Sequence, residues 1–360
     1  MVRSRRAAGR EDRARPAEAR GAKARDDEVS VAGPHVLVLA KKSALRMHLD
    51  RQDETRHGRV ERLLRENDPT VHRMAGSHAQ HEACLEEVEA VLAGLGCEAK
   101  LVTAAALDEF RVVIDPPQAT GRAATAPPAR KPDLVVTIGG DGTLLAASHA
   151  IGDTPILGIN SAPDFSVGFF CSGRLGNVRE TLEKALAGEL PITSLTRMKV
   201  ERDDQLLTTR VLNEVLVCCA SPAATTRYIL EHRGVVEEQK SSGIWIGPAA
   251  GSTAAQRSAG GRVLPLTSDK LQFVVREAYT PAGQILRLPR GLVARGESLS
   301  VRVKMTDGRL FVDGPHEVHT VTIGDHLHFS ASDEPLRLVG VTRRRGWTAR
   351  SAARRGYRRA

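Results

Sequence analysis

Unbroken apolar runs alternate with stretches of helical spacing through the first half of the chain. Residues 36–39, 134–138 and 155–160 read as strands whose apolar positions are continuous rather than alternating, and residues 98–104 read as a further strand. Continuous apolar strands belong to parallel sheets buried on both faces. Between them, Cys84, Leu85, Val88, Val91, Leu92 and Leu95 keep the spacing of one helix face over residues 78–95, with Gly94 and Gly96 as the stop. Asn177 with Glu180 predicts a capping box for a helix through Leu182 and Leu186, closed by Gly188. Residues 45–76 are polar, rich in Arg and His, and show no period; residues 115–132 hold five prolines and read as a loop. The pattern predicts an α/β domain built on a parallel sheet.

Past Pro191 the rhythm changes. Residues 198–202, 209–219, 227–232, 243–246, 271–276, 284–288, 298–305 and 319–329 read as strands between turn residues, the pattern of an all-β sandwich. The expected organisation is a disordered basic tail over 1–30, the α/β domain over 31–190, a β-sandwich domain over 191–342 and an Arg-rich tail over 343–360.

The first strand-to-helix junction of note is residues 133–151, DLVVTIGGDGTLLAASHAI. A strand runs into Gly139-Gly140-Asp141-Gly142-Thr143 and then into helix-favouring Leu-Ala-Ala. Glycines allow the backbone to approach a ligand, and the free N–H groups of a first helical turn attract phosphate. The carboxylate of Asp141 among them is suited to accepting a proton or holding a metal ion. A plain βα turn with an Asp cap is the alternative.

Composition narrows the class. The net charge of +9 resides at the ends: residues 1–30 carry nine Lys/Arg against six Asp/Glu, and residues 343–359 carry eight Arg and no acid. With aromatics at 3%, stacking platforms for single strands are few, so the tails read as solvated rather than as a nucleic-acid tether. No apolar run reaches membrane-spanning length, and the N-terminus lacks the apolar core of a signal peptide. Five cysteines, with no C-x-x-C pair, point to a reducing compartment, the cytoplasm. His78 with His81, and His326 with His328, lack the further ligands a zinc site needs.

No P-loop, G-x-G-x-x-G, H-E-x-x-H or G-x-S-x-G motif is present. Two other clusters carry chemistry. Asn213-Glu214 interrupts the apolar run 211–217, and a buried Glu there needs a partner: a ribose hydroxyl, an adenine amine or a salt bridge. Residues 241–261 are rich in small side chains suited to a flat ligand lying against the backbone, or simply form a loop.

Gly139–Thr143, Asn213-Glu214 and Gly251-Ser252-Thr253-Ala254 with Ser258-Ala259-Gly260-Gly261 together resemble the NAD kinase family in order and spacing. The glycine-Asp turn alone is shared with lipid kinases. The resemblance implies phosphoryl transfer from ATP or polyphosphate to the 2′-hydroxyl of the adenosine ribose of NAD⁺ or NADH. It further implies an α/β domain followed by a β-sandwich, a homo-oligomer (dimer or tetramer), and Mg²⁺ carried in on the donor phosphates. By match, Asp141 is the proton acceptor and, with Gly142, touches the acceptor dinucleotide. Gly139, Gly140, Gly142 and Thr143 cradle donor phosphates, Asn213 and Glu214 hold ribose or base, and Lys240, Ser242, Thr253, Ala254, Ala255, Gln256, Arg257 and Ser258 line the remainder. The family usually has Asp at Ser242 and Tyr at Ala255. Loss of that carboxylate implies weaker discrimination against NADH; the same two departures suit a non-catalytic NAD(H) sensor. Asp313-Gly314-Pro315 resembles the family's Asp-Gly-Gln only weakly.

Overall fold

The computed structural model describes residues 33–50, 54–104, 131–281 and 285–342. The two expected tails and most of the proline-rich loop lie outside the described residues.

The apolar runs of the first half form one sheet. Its order is Glu98–Ala104, His35–Lys41, Leu134–Gly139, Ile156–Asn160, Leu336–Val339, Ile192–Leu195, with Cys171–Arg174 also paired to Ile156–Asn160. All pairs are parallel except the last, between Leu336–Val339 and Ile192–Leu195. Alternate residues of each strand face opposite layers. Val36, Val38, Val136 and Ile138 pack under the helices Pro69–Gly94 and Val178–Leu186, through Cys84, Val88, Val91, Val178 and Leu182. Leu37, Leu39 and Val135 face the helix Asp141–Ser148, through Leu144 and Ala147, together with Phe170, Leu212 and Ala250. The both-faces-covered parallel sheet is as the pattern predicts, and the second layer draws on residues far along the chain.

The region 45–76 corrects the reading of an aperiodic stretch. It forms the helices Ala44–Leu49 and Glu54–Arg65 and the start of Pro69–Gly94. Asp68 caps the long helix, accepting from the Thr70 N–H at 2.8 Å, with Pro69 in the first turn. The capping box at Asn177 is also corrected. The Asn177 side chain accepts from the Arg174 N–H (2.8 Å), and Glu87 of the long helix takes the N–H groups of Gly176 (2.8 Å) and Val178 (3.1 Å). A neighbouring helix supplies the cap that the local sequence was expected to supply.

Two six-stranded antiparallel sheets follow. One runs Val235–Ser241, Thr226–His232, Ser298–Val303, His326–Ala331, Met198–Arg202, Gln205–Val211; the other runs Arg290–Val293, Leu271–Val275, Ile244–Gly247, Val215–Cys219, Gly308–Val312, Glu317–Val321. Their inner faces share one core, including Val200, Tyr228, Leu230, Val301 and Phe329 from the first and Val217, Ile246, Phe273 and Leu310 from the second. This is a sandwich. The single strand expected over 209–219 is two strands, broken at residues 212–214, and that expected over 319–329 is broken by a turn at 322–325. Residues 285–288 form no strand, and residue 284 lies outside the described residues. Among the described residues no helix is long and apolar enough to cross a membrane.

Candidate active site

The glycine turn lies at the carboxyl end of Leu134–Gly139, where open α/β sheets bind ligands. Gly139 has no room for a side chain: a Cβ there would lie 2.1 Å from Thr143 Oγ1. Gly140 caps the helix Asp141–Ser148 in extended conformation, and the Thr143 N–H returns to its carbonyl at 3.0 Å. Gly142 is exposed and Thr143 buried. Asp141 is half-buried, and both its oxygens are oriented: Oδ2 accepts from the Phe169 N–H at 2.9 Å and Oδ1 from the Phe170 N–H at 2.8 Å. An ionised carboxylate offers about four acceptor sites, so each oxygen keeps one for a substrate.

Beside this turn is a cleft of about 140 Å³. It is floored by Gly139, Gly140 and Thr143 and walled by Lys41, Lys42, Ser43, Ser77, His81, Ser161 and Ser166. The lining carries hydroxyls, amines and one imidazole, with no Phe, Tyr or Trp ring, which suits an oxyanion. Ser43 Oγ is 2.8 Å from His78 Nδ1, and Ser161 Oγ is 2.8 Å from His81 Nδ1. Burial lowers the pKa of His81 below its ordinary value. Lys41, Lys42, Ser43, Ser161 and the two histidines were not among the residues expected from sequence. Their signal was position: they follow predicted strands at their carboxyl ends or lie one turn apart on the long helix.

Asn213 and Glu214 occupy the break between two strands, and the cause is Asp313. Its Oδ1 accepts from the N–H groups of Asn213 (2.7 Å) and Glu214 (2.9 Å), and its Oδ2 from that of Leu212 (2.8 Å) and from His149 Nε2 (2.9 Å). These amides serve a carboxylate in place of a strand ladder, which ends the strand. Asn213 Oδ1 and Glu214 Oε2 are buried without a hydrogen-bond partner. Burial, reinforced by Asp313, pushes the Glu214 pKa up to about 8, so at neutral pH this side chain is a protonated acid able to donate. Two unspent polar groups on one turn invite a ligand.

The small-residue cluster packs directly on that turn. A Cβ on Gly247 would lie 2.2 Å, and one on Gly251 1.9 Å, from the Asn213 carbonyl oxygen. Thr253, Ala254 and Ala255 are half-buried, and Arg257 and Ser258 exposed. Gln256 departs from expectation. It is fully buried, with Nε2 on the Asn213 carbonyl (3.4 Å) and Oε1 receiving Gln272 Nε2 (3.0 Å), so it braces the turn from behind.

Lys240 and Ser242 stand apart. Lys240 is exposed on the edge strand Val235–Ser241. Ser242 lies at the far end of Ile244–Gly247 from the Asn213 contact, roughly 10 Å or more along the strand. Its hydroxyl bonds the Glu277 carboxylate, whose residue holds a left-handed φ of +45°. A carboxylate therefore stands beside Ser242 although residue 242 carries none: Glu277 supplies it from just past Leu271–Val275.

The helix bearing Asp141 is also fixed at its other end. Arg197, fully buried, donates from Nη1 to the carbonyls of Ser148 (2.9 Å) and Ile151 (2.8 Å), and Arg210 Nη1 donates to that of His149 (3.2 Å). Burial pushes the Arg197 pKa down to about 10, still well charged at neutral pH.

Residues 36–190 match the profile of the ATP-NAD kinase N-terminal domain. A probable NADH kinase of Oryza sativa subsp. japonica is 35% identical over 234 residues, spanning 59% of this chain and 72% of that protein. The chain belongs to the NAD kinase family. Another member, the NAD kinase of Methanothermobacter thermautotrophicus, is 39% identical over 218 residues, 59% of this chain and 72% of its own. Two solved members share the fold. The Archaeoglobus fulgidus NAD kinase in complex with ATP aligns with a TM-score of 0.56 at 18% identity, over 86% of this chain and 95% of that chain. The yeast NADH kinase complexed with NADH aligns with a TM-score of 0.58 at 15% identity, over 91% and 90%.

Proposed function

We propose that this chain is an NAD(H) kinase. It moves the terminal phosphoryl group of ATP or polyphosphate to the 2′-hydroxyl of the adenosine ribose of NAD⁺ or NADH, giving NADP(H). The observation that carries this reading is the Asp141 carboxylate, aimed by two backbone amides and borne on the turn whose Gly139, Gly140 and Thr143 line a cleft of hydroxyls and lysines. A sugar hydroxyl is a poor nucleophile at neutral pH. Asp141 takes its proton as the ribose oxygen bonds to phosphorus and the phosphoanhydride bond to the donor breaks.

The donor's phosphate chain is assigned to the cleft, with Gly139, Gly140 and the Lys41–Lys42–Ser43 corner around it. Asn213 Oδ1, an acceptor, suits an adenine amine, and protonated Glu214, a donor, suits a ribose oxygen. Thr253, Ala254 and Ala255 line the same turn, while Arg257 and Ser258 lie at its rim. Among the described residues no group of three His, Cys, Asp or Glu is placed to hold a metal ion, so Mg²⁺ is assigned to the donor phosphates, whose charge it neutralises. Lys240, exposed on an edge strand, and Ser242, at the far end of Ile244–Gly247 from the Asn213 contact, fit a homo-oligomer in which they meet a dinucleotide held by a second copy. The five free cysteines fit a reducing compartment, the cytoplasm.

The test is incubation of pure protein with NAD⁺ or NADH, Mg²⁺ and either donor, assayed for NADP(H). Formation of NADP(H) by wild type and its loss in Asp141→Asn is the expected result. Equal turnover by the two proteins would remove Asp141 as the base, and no turnover by wild type would remove the function.

A further inference from the structure

We propose that His149 and Asp313 are positioning residues for the transfer, holding the Asn213–Glu214 turn in register with Asp141. The inference rests on the kinase reading above and deepens it.

Asp313 has nothing left to offer a substrate. Its side chain is 2% exposed and its two oxygens already accept four hydrogen bonds, from three consecutive backbone amides and one imidazole. Its own N–H donates to the Glu214 carbonyl at 3.0 Å, so the turn is clasped from both sides. Asp313 holds this pose with a φ of +47°, a conformation that L residues rarely adopt. That cost is met where the carboxylate enters the amide nest.

The fourth donor is what makes the clasp more than a local brace. His149 is the C-terminal cap of the helix Asp141–Ser148, and its side chain is 5% exposed. Asp141 opens that same helix, about 12 Å away at the usual rise. The helix is held at its start by the Phe169 and Phe170 amides on Asp141 and at its end by Arg197 and Arg210. A rigid path therefore runs from Asp141 along one short helix to His149, across one 2.9 Å hydrogen bond to Asp313, and into the amides of Asn213 and Glu214. The other ring nitrogen, His149 Nδ1, is buried without a hydrogen-bond partner, 3.6 Å from Glu317 Oε2, so the Nε2–Asp313 bond is the ring's one hydrogen bond among the described residues. In the transfer, the base is Asp141 and the ribose is held at Asn213–Glu214. Their separation must match within a fraction of an ångström, because misplacement by about 1 Å costs on the order of a hundredfold in rate.

Steady-state kinetics on the full chain, with NAD⁺, ATP and Mg²⁺, test this, with circular dichroism reporting the fold. His149→Ala and Asp313→Asn should each lower kcat about tenfold or more and raise KM for NAD⁺, while KM for ATP stays within about twofold. The double variant should be no worse than the more severe single one, since both cut one path. His149→Gln, whose amide N–H can replace the Nε2 donor, should recover most of the loss. If Asp313→Asn does not fold, the two His149 variants decide alone. Unchanged kcat in His149→Ala, equal rises in both KM values, or no recovery in His149→Gln would overturn the positioning role while leaving the kinase reading intact. Absence of NADP(H) from wild type would overturn both.

Discussion

Glu214 makes folding stability depend on pH in the unusual direction. The group keeps its proton in the folded chain up to about 8, whereas a solvated Glu releases it near 4.5. Below 4.5 both states are protonated and the group contributes nothing. Between 4.5 and 8 the unfolded chain has lost the proton and the folded chain retains it, so stability falls as pH rises. The loss amounts to about 3 kcal/mol by pH 7 and about 5 kcal/mol once the folded group also ionises. Above 8 the penalty is constant. Glu214→Gln keeps the shape and removes the titration. Urea unfolding of both proteins at pH 5, 6, 7 and 8 should show the variant gaining on wild type by roughly 1 kcal/mol per pH step. Curves that stay parallel across this range would show that Glu214 ionises normally, and its role as a neutral donor to ribose would fall with the argument.

Asp141→Asn should lower kcat by about 10²- to 10⁴-fold. It also turns an amide N–H₂ toward the Phe169 or Phe170 N–H, so a modest drop in Tm measured alongside is expected. Gly251→Ala places a methyl 1.9 Å from the Asn213 carbonyl oxygen; a loss of about 1–3 kcal/mol in urea unfolding should accompany a raised KM for NAD⁺ with KM for ATP little changed. Arg197→Met strips the carbonyls of Ser148 and Ile151 of their donor, and a destabilisation of about 3 kcal/mol should appear by calorimetry.

What sequence revealed and what it hid follow from range. The junction at Gly139–Thr143 was legible because each of its features is local: an apolar strand buried on both faces, a glycine turn in which a Cβ at Gly139 finds no room, and a helix-favouring run behind. The helix Glu54–Arg65 was not, because its Val60, Leu63 and Leu64 are too few to mark a period against so many charges. The break in the run 209–219 was hidden for another reason. Nothing near Asn213 announces it, since the carboxylate that takes those amides is a hundred residues away at Asp313. The cleft was half visible: its floor came from the motif, while Lys41, Ser161 and His81 come together only when three strand ends and a helix are assembled.

The two strands Ile192–Leu195 and Leu336–Val339 lie side by side in the first sheet, although the whole sandwich separates them in sequence. The chain thus leaves the α/β layer and re-enters it through neighbouring doors, which makes the sandwich an insertion rather than an appendage. During synthesis the edge of Ile156–Asn160 at Ile156 stays bare until residue 338 has been made, an open invitation to wrong partners. A fragment cut after the first 190 residues would carry the motif and still lack the two strands at one side of its own sheet.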